Sequence, residues 1–416
     1  MAASAISAQT MSRDMRATSI EMRKPMPTIG VPKNSATMAP IRAKVELIFN
    51  ALKMNGRAIG SLSFTSVVQY PAAYERIRSR SSRPADAKPA TVFTSMGKNV
   101  ITTTAFAQTD KVTLQLKWVT QAQFAGYYVA KDKGFYKAAG LDVTIKPGGP
   151  DIAPPQVIAG GGADVIVDWM PSALAAREKG VPLVNIAQPF KKSGMMLTCR
   201  AETGIKTPQD LKGRTLGVWF SGNEYPFLAW MSKLGYKTDG SSGGVKVLKQ
   251  GFNVDPLIQK QADCISTMTY NEYWQVIDAG FKPEQLVVFK YEDQGVATLE
   301  DGLYVMQDKL KDPAFVAKMA KFVAASQKGW DFMRQNPDQA AKIVLDNDAT
   351  GAQTEKHQKR MAGEIAKLLD TSGKGKLDPT DYERTVSTLL ASGGDSPVIT
   401  KKPEGAWSHA VVDAKM

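Results

Sequence analysis

Five short segments of the chain put flat aromatics, side-chain amides, hydroxyls and carboxylates just after stretches that read as strands. The first holds Trp118, Gln121, Gln123 and Phe124, and the second holds Trp169 and Ser172. The third runs from Trp219 through Ser221, Gly222, Asn223, Glu224 and Tyr225; the fourth is Gln250 to Asn253, and the fifth is Tyr270 to Glu272. Tyr127, on the helix after the first segment, joins this set, with one of Tyr127 and Tyr128 expected in the core. Aromatic faces stack on flat heterocycles. Amides and carboxylates read ring nitrogens and exocyclic amines as paired acceptors and donors. An ionised Glu272 or Glu224 would give an exocyclic amine on such a ring a charge-assisted hydrogen bond. No arginine lies in any of the five, which argues against a sulfonate or nitrate site. Ser221-Gly222-Asn223 ahead of a helix is nonetheless a place where backbone N–H groups can hold an anion. Other roles stay open for several of these residues. Trp219 on an apolar strand suits core and pocket equally, Glu224 can cap its helix, and Asn271 can serve a turn. Trp230 and Trp274 read as packing residues.

The elements that must position these groups form an α/β pattern organised around Leu114 to Pro150. Leu114 and Leu116 alternate with polar neighbours as in a half-buried strand. A helix follows, Gly134 suits its left-handed end, and Leu141 to Ile145 is a second strand. A helix over Asp151 to Ala159 ends at Gly160-Gly161-Gly162, which is not a GxGxxG turn opening a helix, so a dinucleotide site is not expected. Strands are expected over 165–167, 183–188, 195–201, 245–248, 263–267 and 286–290, with helices over 173–179, 225–234 and 254–261. Long helices close the chain over 313–336, 337–346, 354–369 and 378–391. The chain crosses to a second lobe near 195 and returns near 303. Residues 108–195 and 303–416 thus form one lobe and 196–302 the other. Ligands favour such a cleft.

Composition bounds the function classes. Of the net charge of +13 over 416 residues, +10 falls in residues 1–107, leaving +3 for the rest. A near-neutral α/β body has no basic stripe for nucleic acid. No apolar run is long enough to span a bilayer. The two cysteines cannot make a four-ligand zinc site, and the two histidines, His357 and His409, form no cluster with them. Cys199 and Cys264 are expected as buried free thiols rather than a disulfide. Residues 1–107 carry eight of the 18 methionines and no lasting periodicity, and read as a disordered or non-native leader. Ala105-Phe106-Ala107 before Gln108 resembles a signal-peptidase site, so processing near Ala107/Gln108 and a periplasmic or secreted location are expected.

The stretch GYYVAKDKGFYKAAGLDVTI resembles the opening of bacterial solute-binding proteins of the alkanesulfonate/thiamine-pyrimidine-precursor superfamily, which also contains the yeast-type thiamine pyrimidine synthase. GIKTPQDLKGRTLGVW resembles the start of the second lobe in type II periplasmic binding proteins. The resemblance covers about Val112 to Met416. It implies a type II periplasmic binding protein fold, two α/β lobes joined by a two-crossing hinge. It also implies capture of a small heteroaromatic ligand, such as a formylaminopyrimidine, for an ABC permease in the inner membrane. The protein would act as a monomer, without cofactor and without nucleic acid. The same resemblance raises a pyridoxal phosphate- and iron-dependent synthase. In DWMPSALAAREKG the synthase lysine falls at Asp168 and its histidine at Ser172, and no cysteine lies in 294–302, where the iron motif would fall. An aspartate cannot form a Schiff base and a serine cannot donate an imidazole. Binding without bond chemistry is therefore expected.

Overall fold

A computed structural model describes residues 90–96, 99–105, 109–372, 375–391 and 397–415. Within the leader, the described residues form an antiparallel hairpin of β1 (Ala90–Met96) and β2 (Asn99–Ala105). The rest of the leader and the expected processing site lie outside the described residues.

Two five-stranded mixed sheets follow. The first takes the order β4-β3-β5-β12-β6 from β3 (Asp110–Gln115), β4 (Leu141–Lys146), β5 (Val165–Asp168), β6 (Leu183–Ala187) and β12 (Gly302–Met306). The second takes the order β11-β7-β10-β8-β9 from β7 (Met195–Arg200), β8 (Thr215–Val218), β9 (Lys246–Lys249), β10 (Cys264–Met268) and β11 (Leu286–Lys290). Read from opposite ends, the two orders match. In each, three parallel strands meet one antiparallel strand, β12 or β7, which has just arrived from the other sheet. This is the expected type II fold, with two lobes and two crossings. β5, β6, β7 and β10 are buried at every position, as expected of strands covered on both faces.

Helices cover the sheets. α1 (Ala125–Asp132) and α2 (Phe135–Ala138) follow β3, α3 (Pro154–Ala159) follows β4, and α4 (Met170–Glu178) follows β5. In the second lobe, α5 (Tyr225–Lys233), α6 (Asp255–Ile258) and α7 (Glu272–Asp278) follow β8, β9 and β10. After β12 come α8 (Pro313–Gln335), α9 (Pro337–Asn347), α10 (Glu355–Ile365) and α11 (Pro379–Leu390). α3 and α6 are shorter than their patterns suggest, each opening with proline near its first position, where the missing N–H costs nothing. α8 begins where the Asp312 side chain accepts from Ala314 N at 2.8 Å. α1 and α8 cross with their backbones in contact. A Cβ on Gly329 would sit 1.9 Å from Gly126 O, and one on Gly126 would enter the Trp330 indole.

The cysteine expectation is overturned. The antiparallel register of β7 and β10 sets Cys199 opposite Cys264, and the two are joined as a disulfide. The 65 residues between them hide that register in the sequence. The two crossings, 188–194 and 291–301, are tied to each other. Buried Glu300 accepts from Ser193 Oγ at 2.5 Å and Gly194 N at 2.9 Å, while Glu292 accepts from Ser193 N at 2.9 Å.

Candidate functional site

Where β3 ends at Gln115, the chain leaves the sheet and packs on the turn after β4. Gly148 N donates to Trp118 O at 2.8 Å, and a Cβ on Gly148 would strike the Leu116 carbonyl, so only glycine lets this turn approach. The loop then delivers Lys117, Trp118, Gln121 and Gln123 to a cavity between the lobes. β5 adds Trp169 from the same lobe. The second lobe contributes Trp219 and Asn223 after β8, and Met268, Tyr270 and Glu272 at the end of β10. Each lobe supplies five lining residues, all from the carboxyl ends of strands, where ligands bind in open α/β sheets.

The polar groups form one network across the cleft. Lys117 Nζ lies 2.5 Å from Asp168 Oδ1, both side chains buried. Asp168 also accepts from Trp169 N at 2.9 Å and Ser172 Oγ at 2.8 Å. Asp301 accepts from Trp169 Nε1 at 3.1 Å and Gln123 Nε2 at 2.6 Å. Gln121 Nε2 donates to Gln123 Oε1 at 2.7 Å, and Asn271 Nδ2 donates across the cleft to Gln121 Oε1 at 3.2 Å. Asn271 Nδ2 also donates to Glu272 Oε1 at 2.7 Å, and its Oδ1 receives Gln275 Nε2 and His357 Nε2. That orientation puts a proton on His357 Nε2. Glu272 Oε2 accepts from Met268 N at 3.0 Å. Trp118 and Trp219 face each other across the cleft edge to face, centroids 5.9 Å apart.

Burial sets the electrostatics. It pushes the Glu272 carboxyl from 4.5 to about 7, against the pull of hydrogen bonds from its own N–H, Met268 N and Asn271. Asp301 rises from 3.8 to about 6 by burial, held down by Gln123 and the Lys117 charge. The cleft therefore holds one lysine among three buried acidic side chains, Asp168, Asp301 and Glu272.

Of the residues singled out in the sequence, Trp118, Gln121, Gln123, Trp169, Asn223, Tyr270 and Glu272 line the cavity, as does Trp219. Others sit elsewhere. Phe124 is fully buried in core, because its loop tightens into a 3₁₀ turn, Ala122–Phe124, ahead of α1. Tyr127 packs between Phe322 and Trp330. Ser172 lies behind the lining, on Asp168. Ser221 and Gly222 close one lobe onto the other: Ser221 Oγ donates to Pro150 O at 2.9 Å, and a Cβ on Gly222 would meet Ser172 Oγ. Glu224 turns back to accept from Gly222 N at 2.8 Å, and burial raises its pKa. Tyr225 packs beside the core under α4 and α11. Asn253 is outside, donating to Asp255 Oδ2 at 2.8 Å. The five segments hold no arginine, as read, but Lys117, one residue ahead of the first segment, brings a cation to the cavity.

The model of the NMT1/THI5-like family matches residues 121–340, more than half of the chain. The chain belongs to this family. Its NMT1/THI5-like segment spans strand-end groups of both lobes, from Gln121 to Glu272. The chain is 24% identical over 298 residues to the formylaminopyrimidine-binding protein of Halalkalibacterium halodurans, covering 70% of this chain and 88% of that one. It is 25% identical over 251 residues to a Saccharomyces cerevisiae protein named 4-amino-5-hydroxymethyl-2-methylpyrimidine phosphate synthase, covering 57% and 71%. The periplasmic aliphatic sulphonate binding protein of Escherichia coli superposes with a TM-score of 0.50 at 14% identity, covering 67% of this chain and 85% of that one. This last likeness supports the fold.

Proposed function

We propose that this protein is the solute-binding component of an ABC importer. It captures a thiamine pyrimidine precursor resembling formylaminopyrimidine between its lobes and presents it to a membrane permease. In this reading it works on the periplasmic or outer side of the membrane, as a monomer, and makes or breaks no bond. The carrying observation is the lining divided evenly between two hinged lobes, with Trp118, Trp169, Trp219 and Tyr270 around a buried glutamate and three amides. Such a site gains its contacts only when the lobes close, the usual behaviour of this architecture. Glu272 accepts from an exocyclic amine or a protonated ring nitrogen, and the amides of Gln121, Gln123 and Asn223 complete the ring edge. The similarity to the Halalkalibacterium halodurans protein supports the same ligand class.

The similarity to the yeast protein raises the synthase as a second reading. The residues do not fit its cofactors. By the sequence resemblance the synthase lysine and histidine fall at Asp168 and Ser172, Lys117 is engaged with Asp168 in an ion pair, and both cysteines are in the disulfide. The test is a thermal-shift and calorimetric panel on the full chain with formylaminopyrimidine, hydroxymethylpyrimidine, thiamine, taurine and pyridoxal phosphate with iron. At about 100 times its dissociation constant a ligand adds about 2.7 kcal/mol to stability. Binding of the pyrimidines alone is expected. A covalent pyridoxal phosphate adduct would install the synthase, and binding of taurine alone would replace the ligand.

A further inference from the structure

Lys117 is the one cation among the residues lining the cleft, and the function proposed above gives it no part. Its side chain is 2% exposed and that of Asp168 is fully buried. An ammonium carries three N–H donors. Among the described residues Lys117 Nζ makes one hydrogen bond, to Asp168 Oδ1 at 2.5 Å. Asp168 is fixed by Trp169 N and Ser172 Oγ, so the carboxylate cannot move to take more of the ammonium. The Trp169 ring, 5.7 Å from Nζ, borders it on another side. Lys117 lines the cavity, and its two remaining donors have no hydrogen-bond partner among the described residues. A buried charged donor without a partner is unfavourable, and a bound acceptor removes that cost. Glu272, the acceptor at the site, comes from the opposite lobe.

Resting on the pyrimidine reading, we infer that Lys117 determines which substituent the ring carries: it donates to an uncharged oxygen acceptor, a formyl carbonyl or a hydroxyl, on the side chain of the heterocycle. The site therefore takes a ring with a donor edge for Glu272 and an oxygen acceptor for Lys117. A ring bearing an ammonium in place of that acceptor offers Lys117 only donors, so the buried donor of Lys117 stays unpaired. An anion such as a sulfonate gains little from Lys117, because Asp168 already neutralises the lysine.

The experiment is calorimetric titration of the full chain with two pyrimidines that differ at one group, the formylaminomethyl compound and the aminomethyl compound left when the formyl is removed. Wild type, Lys117→Met and the double variant Lys117→Met with Asp168→Asn are compared at one pH. Lys117→Met leaves Asp168 buried and uncompensated, so it can fail to fold. The double variant removes the pair together and carries the test if it does. Wild type binds the formylated compound more tightly. The variants lose affinity for it by roughly 10- to 100-fold, the span for a hydrogen bond to a charged group, and hold or gain affinity for the amine. Equal loss on both compounds, or an unchanged preference, overturns the assignment and leaves the pyrimidine reading standing. A wild-type protein that binds neither compound overturns both.

Discussion

Glu300 ties the two crossings together and is the place to test how burial shapes this hinge. Burial raises its carboxyl from 4.5 to about 8, with Asp301 and Glu292 adding to the rise and the hydrogen bonds from Gly194 and Ser193 opposing it. An acid whose folded pKa lies above its unfolded value keeps its proton in the folded chain after the unfolded chain has lost it. Stability from this group is full below pH 4.5 and is lost progressively as pH rises toward 8. At about 1.4 kcal/mol per tenfold change in proton affinity, the loss reaches about 5 kcal/mol above pH 8, of which about 3 to 4 falls between pH 5 and pH 8. Glu300→Gln keeps the neutral shape: Oε1 can accept from Gly194 N, and Ser193 can rotate its hydroxyl to accept from Nε2. Urea unfolding of ligand-free wild type and variant at pH 5, 7 and 8 reads the difference. The variant is expected near wild type at pH 5 and more stable by about 3 kcal/mol or more at pH 8. Parallel pH profiles would refute the reasoning, because they would mean that the ionised carboxylate is tolerated at the hinge.

Three further perturbations follow from the packing. Trp118→Ala removes one of the two indoles facing across the cleft, and should weaken pyrimidine binding roughly tenfold and abolish most of the ligand-induced fluorescence change; full retention of both would move the stacking face elsewhere. Cys199→Ala with Cys264→Ala opens a closure spanning 65 residues and should cost about 4 kcal/mol by the loop-entropy argument, read as a lower urea midpoint. Gly329→Ala pushes a methyl into the Gly126 carbonyl, where backbone meets backbone, and should lower stability by about 1–3 kcal/mol, visible as a lower Tm.

The cleft was legible in the sequence where side-chain type and strand end coincide. Trp118, Trp169 and Tyr270 are large rings directly after apolar runs, and the structure puts each on the cavity wall. Position alone misled at Phe124, which the turn over Ala122–Phe124 carries into the core, and at Tyr127, which packs on Phe322 of α8. Lys117 escaped notice because an alternating strand reads a lysine as an outward residue. The ladder with β4 stops at Gln115, and beyond it the pleat no longer dictates facing. Asp168 closes β5 fully buried, satisfied by Trp169 N, Ser172 Oγ and a lysine 51 positions earlier that no local pattern links to it. The disulfide depends on strand register, which no local pattern encodes.

The sheet orders also fix a sequence of events during synthesis. Every strand of the second sheet lies between Met195 and Lys290, so that sheet can close as soon as this length of chain exists. The first sheet starts at Asp110 but needs β12, Gly302–Met306, to fill the place between β5 and β6. Until then, two fully buried strands carry open edges, the kind of surface that pairs with other chains. Domains commonly mature from the N-terminus as the chain grows. Here the lobe begun first is finished last, so a chain truncated before Gly302 keeps an unfilled slot in its first sheet while its second sheet is complete.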